Sequence, residues 1–199
     1  MNPQIEFWFE YGSTYTYLTV ARMERAAAFA GVEVAWRPFL LAPIFAKAGL
    51  PQGPFLPFPA KIRYMWRDIE RRAKQHGLPY RKPSTYPPST LLTARVGVIA
   101  AREGWCADYT RAVFERHWTQ DVAIGSRENL RDSIEKAGRG ADDVIARAES
   151  PANKAALREQ TEEAEMRGIF GSPSFVARGE LYWGDDRLEE AIAHSVQCR

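Results

Sequence analysis

Ile5-Glu6-Phe7-Trp8-Phe9-Glu10-Tyr11-Gly12-Ser13-Thr14-Tyr15-Thr16-Tyr17-Leu18 runs an apolar strand straight into a helix, and the turn between them decides how the chain is read. Aromatic residues and Ile5 give the stretch from Ile5 to Glu10 its strand propensity. A helical pattern follows from about Thr14 to Ala30, with Gly31 placed to close it in the left-handed region. Ser13-x-x-Thr16 therefore sits at a helix start, where backbone N–H groups and the macrodipole stabilise an anion. A cysteine placed there becomes a reactive thiolate. A serine does no redox chemistry, but its hydroxyl can donate a hydrogen bond to a thiolate that another molecule brings. Serine before a helix is also an ordinary N-cap, so Ser13 by itself leaves a structural and a chemical reading open.

Outward from this stretch, Val32 to Arg37 alternates as a short strand ended by Pro38, which completes a β-α-β unit. The Pro- and Gly-rich stretch from Phe39 to about Pro59 reads as a long loop. Helical patterns then cover Ala60 to His76, Pro88 to Glu103, Ala107 to Thr119, Ser126 to Ala137, Ala141 to Ala148 and Pro151 to Arg167. Ser150-Pro151 reads as an N-cap with proline at the first helical position. Ser174-Phe175-Val176-Ala177 and Glu180-Leu181-Tyr182-Trp183 form a hairpin through Arg178-Gly179. A last helix opens at Asp185-Asp186, with Glu189 three residues after Asp186 as in a capping box. With the helical block set aside, the order is βαβ-ββα. The expected fold is α/β: a thioredoxin-like domain with a large all-helical insertion, residues 1–59 and 168–199 forming the former and 60–167 the latter.

Phe170-Gly171-Ser172-Pro173-Ser174 lies just before the third strand, where thioredoxin-like folds place a cis-proline facing the first helix's N-terminus. Taken with the opening stretch, and with Tyr182-Trp183-Gly184-Asp185-Asp186-Arg187-Leu188 and Pro59 to Asp68, the chain resembles the 2-hydroxychromene-2-carboxylate isomerases. These are relatives of kappa-class glutathione transferases in the DsbA-like group. The resemblance implies glutathione as cofactor, and it implies roles position by position. Ser13 matches the serine that holds the glutathione sulfur as thiolate. Ser172 and Pro173 match the pair whose backbone adds the tripeptide like a strand. Asp185 and Asp186 match the pair gripping its γ-glutamyl end, and Lys61 the lysine reaching its glycyl side. Gln52 is a looser match near that glycyl end. Thr14 stands where the family usually has proline, and Asp185 where Asn or Ser is commoner. The implied reaction is thiolate addition, ring opening, bond rotation and elimination to a trans-o-hydroxybenzylidenepyruvate-type product. A kappa-type transferase or peroxidase, or a non-catalytic thiol-peptide binder, would share the same site.

The bulk properties fit a soluble intracellular enzyme and little more; the small aromatic substrate is what the resemblance implies. The 199 residues carry 27 basic and 25 acidic side chains, a net charge of +2, which gives no electrostatic case for nucleic acid or a membrane surface. No apolar run approaches the roughly 20 residues that span a bilayer, and Met1 to Gln4 contains no signal-peptide pattern. Cys106 and Cys198 form no paired motif, so a reducing, cytoplasmic setting is expected. His76, His117 and His194 have no metal-ligand spacing, and no metal is expected. Arg63, Arg67, Arg71, Arg72 and Lys74, interleaved with Asp68 and Glu70, read as a solvated helix face. Phe39, Tyr64 and Trp66 are candidates for an aromatic wall. Relatives are often dimers, but no seam in this sequence demands a homodimer.

Overall fold

A computed structural model describes residues 3–51 and 53–197, so Gln52 and Cys198 lie outside the described residues. Strand β1 (Gln4–Phe9) is followed by helix α1 (Thr14–Ala30) and strand β2 (Glu33–Pro38), as expected. Gly31 closes α1 with φ 67°, the left-handed conformation that glycine adopts without a Cβ penalty. Strands β3 (Ser174–Ala177) and β4 (Glu180–Trp183) form the hairpin. The sheet order is β2-β1-β3-β4, with β1 parallel to β2 and antiparallel to β3. That mixed sheet is the thioredoxin-like arrangement read from the sequence.

Helices fill the remainder of the chain. They are α2 (Leu41–Lys47), α3 (Pro59–Gln75), α4 (Leu91–Arg102), α5 (Cys106–Gln120), α6 (Arg127–Lys136), α7 (Ala141–Ala148), α8 (Pro151–Met166) and α9 (Leu188–Val196). Helix α2 corrects the reading of residues 39–59 as loop throughout. Leu41, Ile44 and Phe45 recur at helical spacing and pack into a small cluster, while Pro43 falls in the first turn, where a missing N–H is harmless. The expected capping box is also corrected. Asp185–Arg187 forms a 3-10 turn, α9 begins at Leu188, and neither Asp185 nor Asp186 caps it.

The period-2 alternation of β1 explains why the sheet has two apolar faces. Ile5, Phe7 and Phe9 point to the α1 side, and Phe7 stacks on Phe9 and on its cross-strand partner Phe175 at ring distances of 4.8 and 5.6 Å. Trp8 points the other way into a smaller cluster with Phe39, Leu41, Ala164 and Ile169. The larger cluster continues from the sheet through Met65, Phe114, Ile134 and Leu157, so the sheet and the inserted helices share one core. No described helix is long and apolar enough to cross a membrane.

Candidate active site

Three serines sit at helix N-cap positions with extended backbone, and two of them behave as caps. Ser126 accepts the Asn129 amide at 3.1 Å and Ser150 accepts the Asn153 amide at 3.2 Å. Ser13, at φ −76° and ψ 124°, has the same backbone but makes no cap hydrogen bond. Its hydroxyl instead donates to the carbonyl of Ser172 at 2.8 Å. The first turn of α1 also contains no acidic side chain. Both features leave the positive end of a 17-residue helix open to an anion.

Ser172 is held from both sides by the Ser-x-x-Thr turn. Thr16, fully buried one helical turn after Ser13, exchanges a 2.7 Å hydrogen bond with the Ser172 hydroxyl, which also accepts the Glu10 amide at 2.8 Å. The Ser172–Pro173 peptide is cis. A Cβ on Gly171 would run into the Trp183 indole, so a side chain there would displace that ring. Trp183 is half exposed and meets Phe170 edge-on at 4.8 Å. Thr16→Val preserves shape and removes one buried hydroxyl partner, which costs about 1 kcal/mol. A thermal melt is expected to show that loss while the mixed sheet persists.

Glu10 lies beneath the turn and links its parts. One carboxyl oxygen accepts the Gly12 amide at 2.7 Å, and the other accepts the Thr90 hydroxyl at 2.6 Å. A Cβ on Gly12 would approach the Glu10 carboxyl to 2.9 Å, which is why the turn carries glycine there. Burial pushes the Glu10 carboxyl above its ordinary range, against the lowering effect of the Thr90 and Gly12 hydrogen bonds. The sign follows from linkage: a group that holds its proton more tightly when folded disfavours the native state above its raised pKa. Glu10 therefore contributes increasing stability as pH falls through that raised value, levelling off near the ordinary carboxyl value. Urea unfolding across acidic pH is expected to show this dependence as a wild-type minus Glu10→Gln difference.

The opposite end of the site is an ion-pair cluster. Asp185 is 2 % exposed. One of its carboxyl oxygens meets Arg22 at 2.7 Å, and the other meets Arg72 at 2.5 Å. Arg22 also donates to the Asp185 carbonyl at 2.9 Å and pairs with Glu189 at 2.5 Å. This arrangement commits both carboxyl oxygens of Asp185, which was expected at a γ-glutamyl group, to guanidinium groups. It corrects the reading of Arg72 as part of a solvated face. Arg67 and Arg71 do pair on the surface with Glu70 and Asp68, whereas Arg72 turns inward beside the buried Ala73. Asp186 remains exposed, with Arg187 at 3.4 Å.

Lys61 is exposed in the first turn of α3, with its ammonium 5.2 Å from the Phe55 ring centre. It lies seven residues before Asp68 on α3, roughly 10 Å along the helix, and Asp68 accepts the Tyr15 hydroxyl at 2.9 Å. Ser13, Ser172 and Pro173 are thus brought together, while Lys61 makes no hydrogen bond or ion pair with them among the described residues. Of the aromatic candidates, Phe39 is fully buried against Trp8, Tyr64 is exposed, and Trp66 packs on Tyr86 at 4.9 Å. Glu10, Thr16, Arg22, Arg72 and Thr90 were not signalled as site residues by the sequence. Only Thr16, through its spacing from Ser13, could have been.

Other chemistry is sparse. Cys106 is buried, and burial pushes its thiol up to about 12, which keeps it unreactive at neutral pH. No metal-binding cluster occurs among the described residues. A cavity of about 570 Å³ opens beside β2, lined by Trp36, Arg37, Arg102 and Gln160, and no member of the Ser13 cluster lines it.

Residues 4–194 match the DSBA-like thioredoxin domain family. The chain is 26% identical to a 2-hydroxychromene-2-carboxylate isomerase from Sphingobium xenophagum, covering 95% of this chain and 96% of that one. It is 24% identical to glutathione S-transferase kappa 2 from Caenorhabditis elegans, covering 94% and 88% of the two chains. A solved 2-hydroxychromene-2-carboxylate isomerase superposes with a TM-score of 0.85 at 25% identity, covering 96% of this chain and 93% of that one.

Proposed function

Because the chain belongs to the DSBA-like thioredoxin domain family yet carries Ser13 and Thr16 where a dithiol would stand, we propose that it is a glutathione-dependent isomerase. Its substrates are of the 2-hydroxychromene-2-carboxylate type, and the named isomerases among its relatives support that choice. The observation that carries the proposal is the uncapped helix: Ser13 holds an N-cap position but turns its hydroxyl toward the Ser172 carbonyl. A serine with only a structural role would resemble Ser126 and Ser150.

Glutathione, held by Ser13, Ser172, Asp186 and Lys61, would supply a thiolate nucleophile for the isomerisation and would not be consumed by it. Ser13 would donate a hydrogen bond to that sulfur while keeping its proton, and the open end of α1 favours the negative charge. A free thiol has a pKa near 8.5, so each unit of lowering yields about tenfold more thiolate near neutrality. The backbone of Ser172, ahead of Pro173, pairs with the tripeptide as an added strand. Asp186, the exposed carboxylate of the 3-10 turn, would take the γ-glutamyl ammonium. Asp185 acts indirectly by holding that turn, and Lys61 reaches the glycyl carboxylate. The thiol cofactor is kept reduced in the cytoplasm, which is where this activity belongs.

Turnover of 2-hydroxychromene-2-carboxylate, followed by the absorbance of the ring-opened product, tests the proposal. Glutathione should be required in catalytic amount, and equal turnover without it contradicts the reading. The kappa-class relatives support a second reading, in which the same thiolate is transferred to an electrophile. Stoichiometric consumption of glutathione, with no isomerisation, would favour it.

A further inference from the structure

The hydroxyl of Ser13 has one proton, and in this structure that proton is already committed. It goes to the Ser172 carbonyl at 2.8 Å. Ser172 is 9 % exposed, and its side chain is fixed by the Glu10 amide at 2.8 Å and Thr16 at 2.7 Å. The residue that carries the carbonyl is therefore held in place if Ser13 turns away. A buried acceptor that loses its donor is penalised by its own desolvation, beyond the loss of the bond itself. Moving the Ser13 proton to a ligand sulfur is thus opposed unless another donor takes over the carbonyl.

Resting on the glutathione reading above, we propose that the Ser172 carbonyl gates the Ser13 hydroxyl, so that Ser13 ionises a bound thiol only when the same ligand presents an N–H to that carbonyl. A peptidyl thiol has such an N–H on its cysteine residue. Once that N–H pairs with the Ser172 oxygen, the carbonyl keeps a partner and the Ser13 hydroxyl is released to the sulfur. A thiol of similar size without the N–H leaves Ser13 where it is and remains protonated. Specificity for a peptide thiol then resides in the chemistry of activation as well as in affinity. The Ser-x-x-Thr turn has a matching division of labour. Thr16 fixes the residue that gates, and Ser13 is the group gated.

The gate is separable from the catalytic use of Ser13 by changing the ligand. Glutathione is compared with its depsipeptide analogue, in which an ester oxygen replaces the cysteinyl N–H. Each is bound to the wild type and to Ser13→Ala. Binding is followed by calorimetry, at ligand concentrations up to tens of millimolar. The pKa of the bound thiol is followed by its ultraviolet thiolate band. For glutathione, Ser13→Ala is expected to raise the bound thiol pKa by about one unit, a tenfold loss of thiolate near neutrality. For the depsipeptide, the wild type and Ser13→Ala should give the same bound pKa, with affinity about tenfold below that of glutathione. An equal Ser13 effect on both ligands overturns the gate while leaving the glutathione reading intact. Failure of the depsipeptide to bind, with glutathione binding normally, also overturns it, because the gate requires a bound but protonated thiol. If neither ligand binds, the glutathione reading fails and the gate fails with it.

Discussion

Ser13→Ala is expected to leave the fold intact and to lower glutathione-dependent turnover by about tenfold. The size of the catalytic loss follows from a bound thiol pKa raised by about one unit, which removes about nine-tenths of the thiolate near neutrality. The small structural effect follows from the hydrogen bonding of this turn. Ser13 makes no cap hydrogen bond, so alanine removes only its bond to the Ser172 carbonyl, a loss of about 1 kcal/mol. Ser126→Ala and Ser150→Ala serve as internal controls, since both serines do cap their helices. Each should lose about 1 kcal/mol of stability and keep full turnover. Thermal unfolding and initial rates on the four proteins decide the matter. Retained activity in Ser13→Ala would remove the serine from the chemistry.

Asp185→Ala is expected to destabilise the fold by about 3–5 kcal/mol. Asp185 joins α1 through Arg22 and α3 through Arg72, and its side chain is 1 % exposed. Removing it leaves two guanidinium groups facing each other with one partner fewer, and that uncompensated charge dominates the loss. The pairs themselves contribute less, because taking the ions out of water offsets much of their attraction. A midpoint drop in urea unfolding measures the effect. The Arg72→Met change made on top of Asp185→Ala should cost little more or recover stability, because it removes one of the stranded charges. If Asp185→Ala costs under 1 kcal/mol, roughly the worth of a surface pair, Asp185 is not the internal counter-ion described above. Glutathione affinity should fall as well, since Asp186 stands on the turn that Asp185 anchors.

Local signals in the chain specify its frame, whereas side-chain roles at the site depend on residues far apart in sequence. The βαβ-ββα frame was legible because strand alternation, Gly31 and the Arg178-Gly179 turn are local signals, and each acts through a few consecutive residues. Helix α2 was not, because seven residues flanked by prolines show too little periodicity to separate from a loop. Ser13, Ser172 and Pro173 were legible through family resemblance, and the structure brings them together. The side-chain roles around them were less so. Asp185 and Asp186 are adjacent and identical in type, yet one is buried between arginines and the other exposed. Only the packing of α1 and α3 against the 3-10 turn makes that distinction. Likewise, Arg72 belongs to a run of basic residues in sequence, and its inward direction comes from helical phase relative to a neighbour more than 110 positions away. Glu10 reads as the polar end of a strand until Thr90, 80 residues later, is seen to donate to it.

The central claim is that Ser13 and the open end of α1 hold a borrowed thiol as its thiolate. It is tested most directly by binding glutathione to the wild-type protein calorimetrically and scanning the thiolate absorbance of the complex across pH. The account predicts saturable binding and a bound thiol pKa at least one unit below the free value of about 8.5. Absence of binding at millimolar glutathione, or a bound thiol that titrates like the free one, would contradict it.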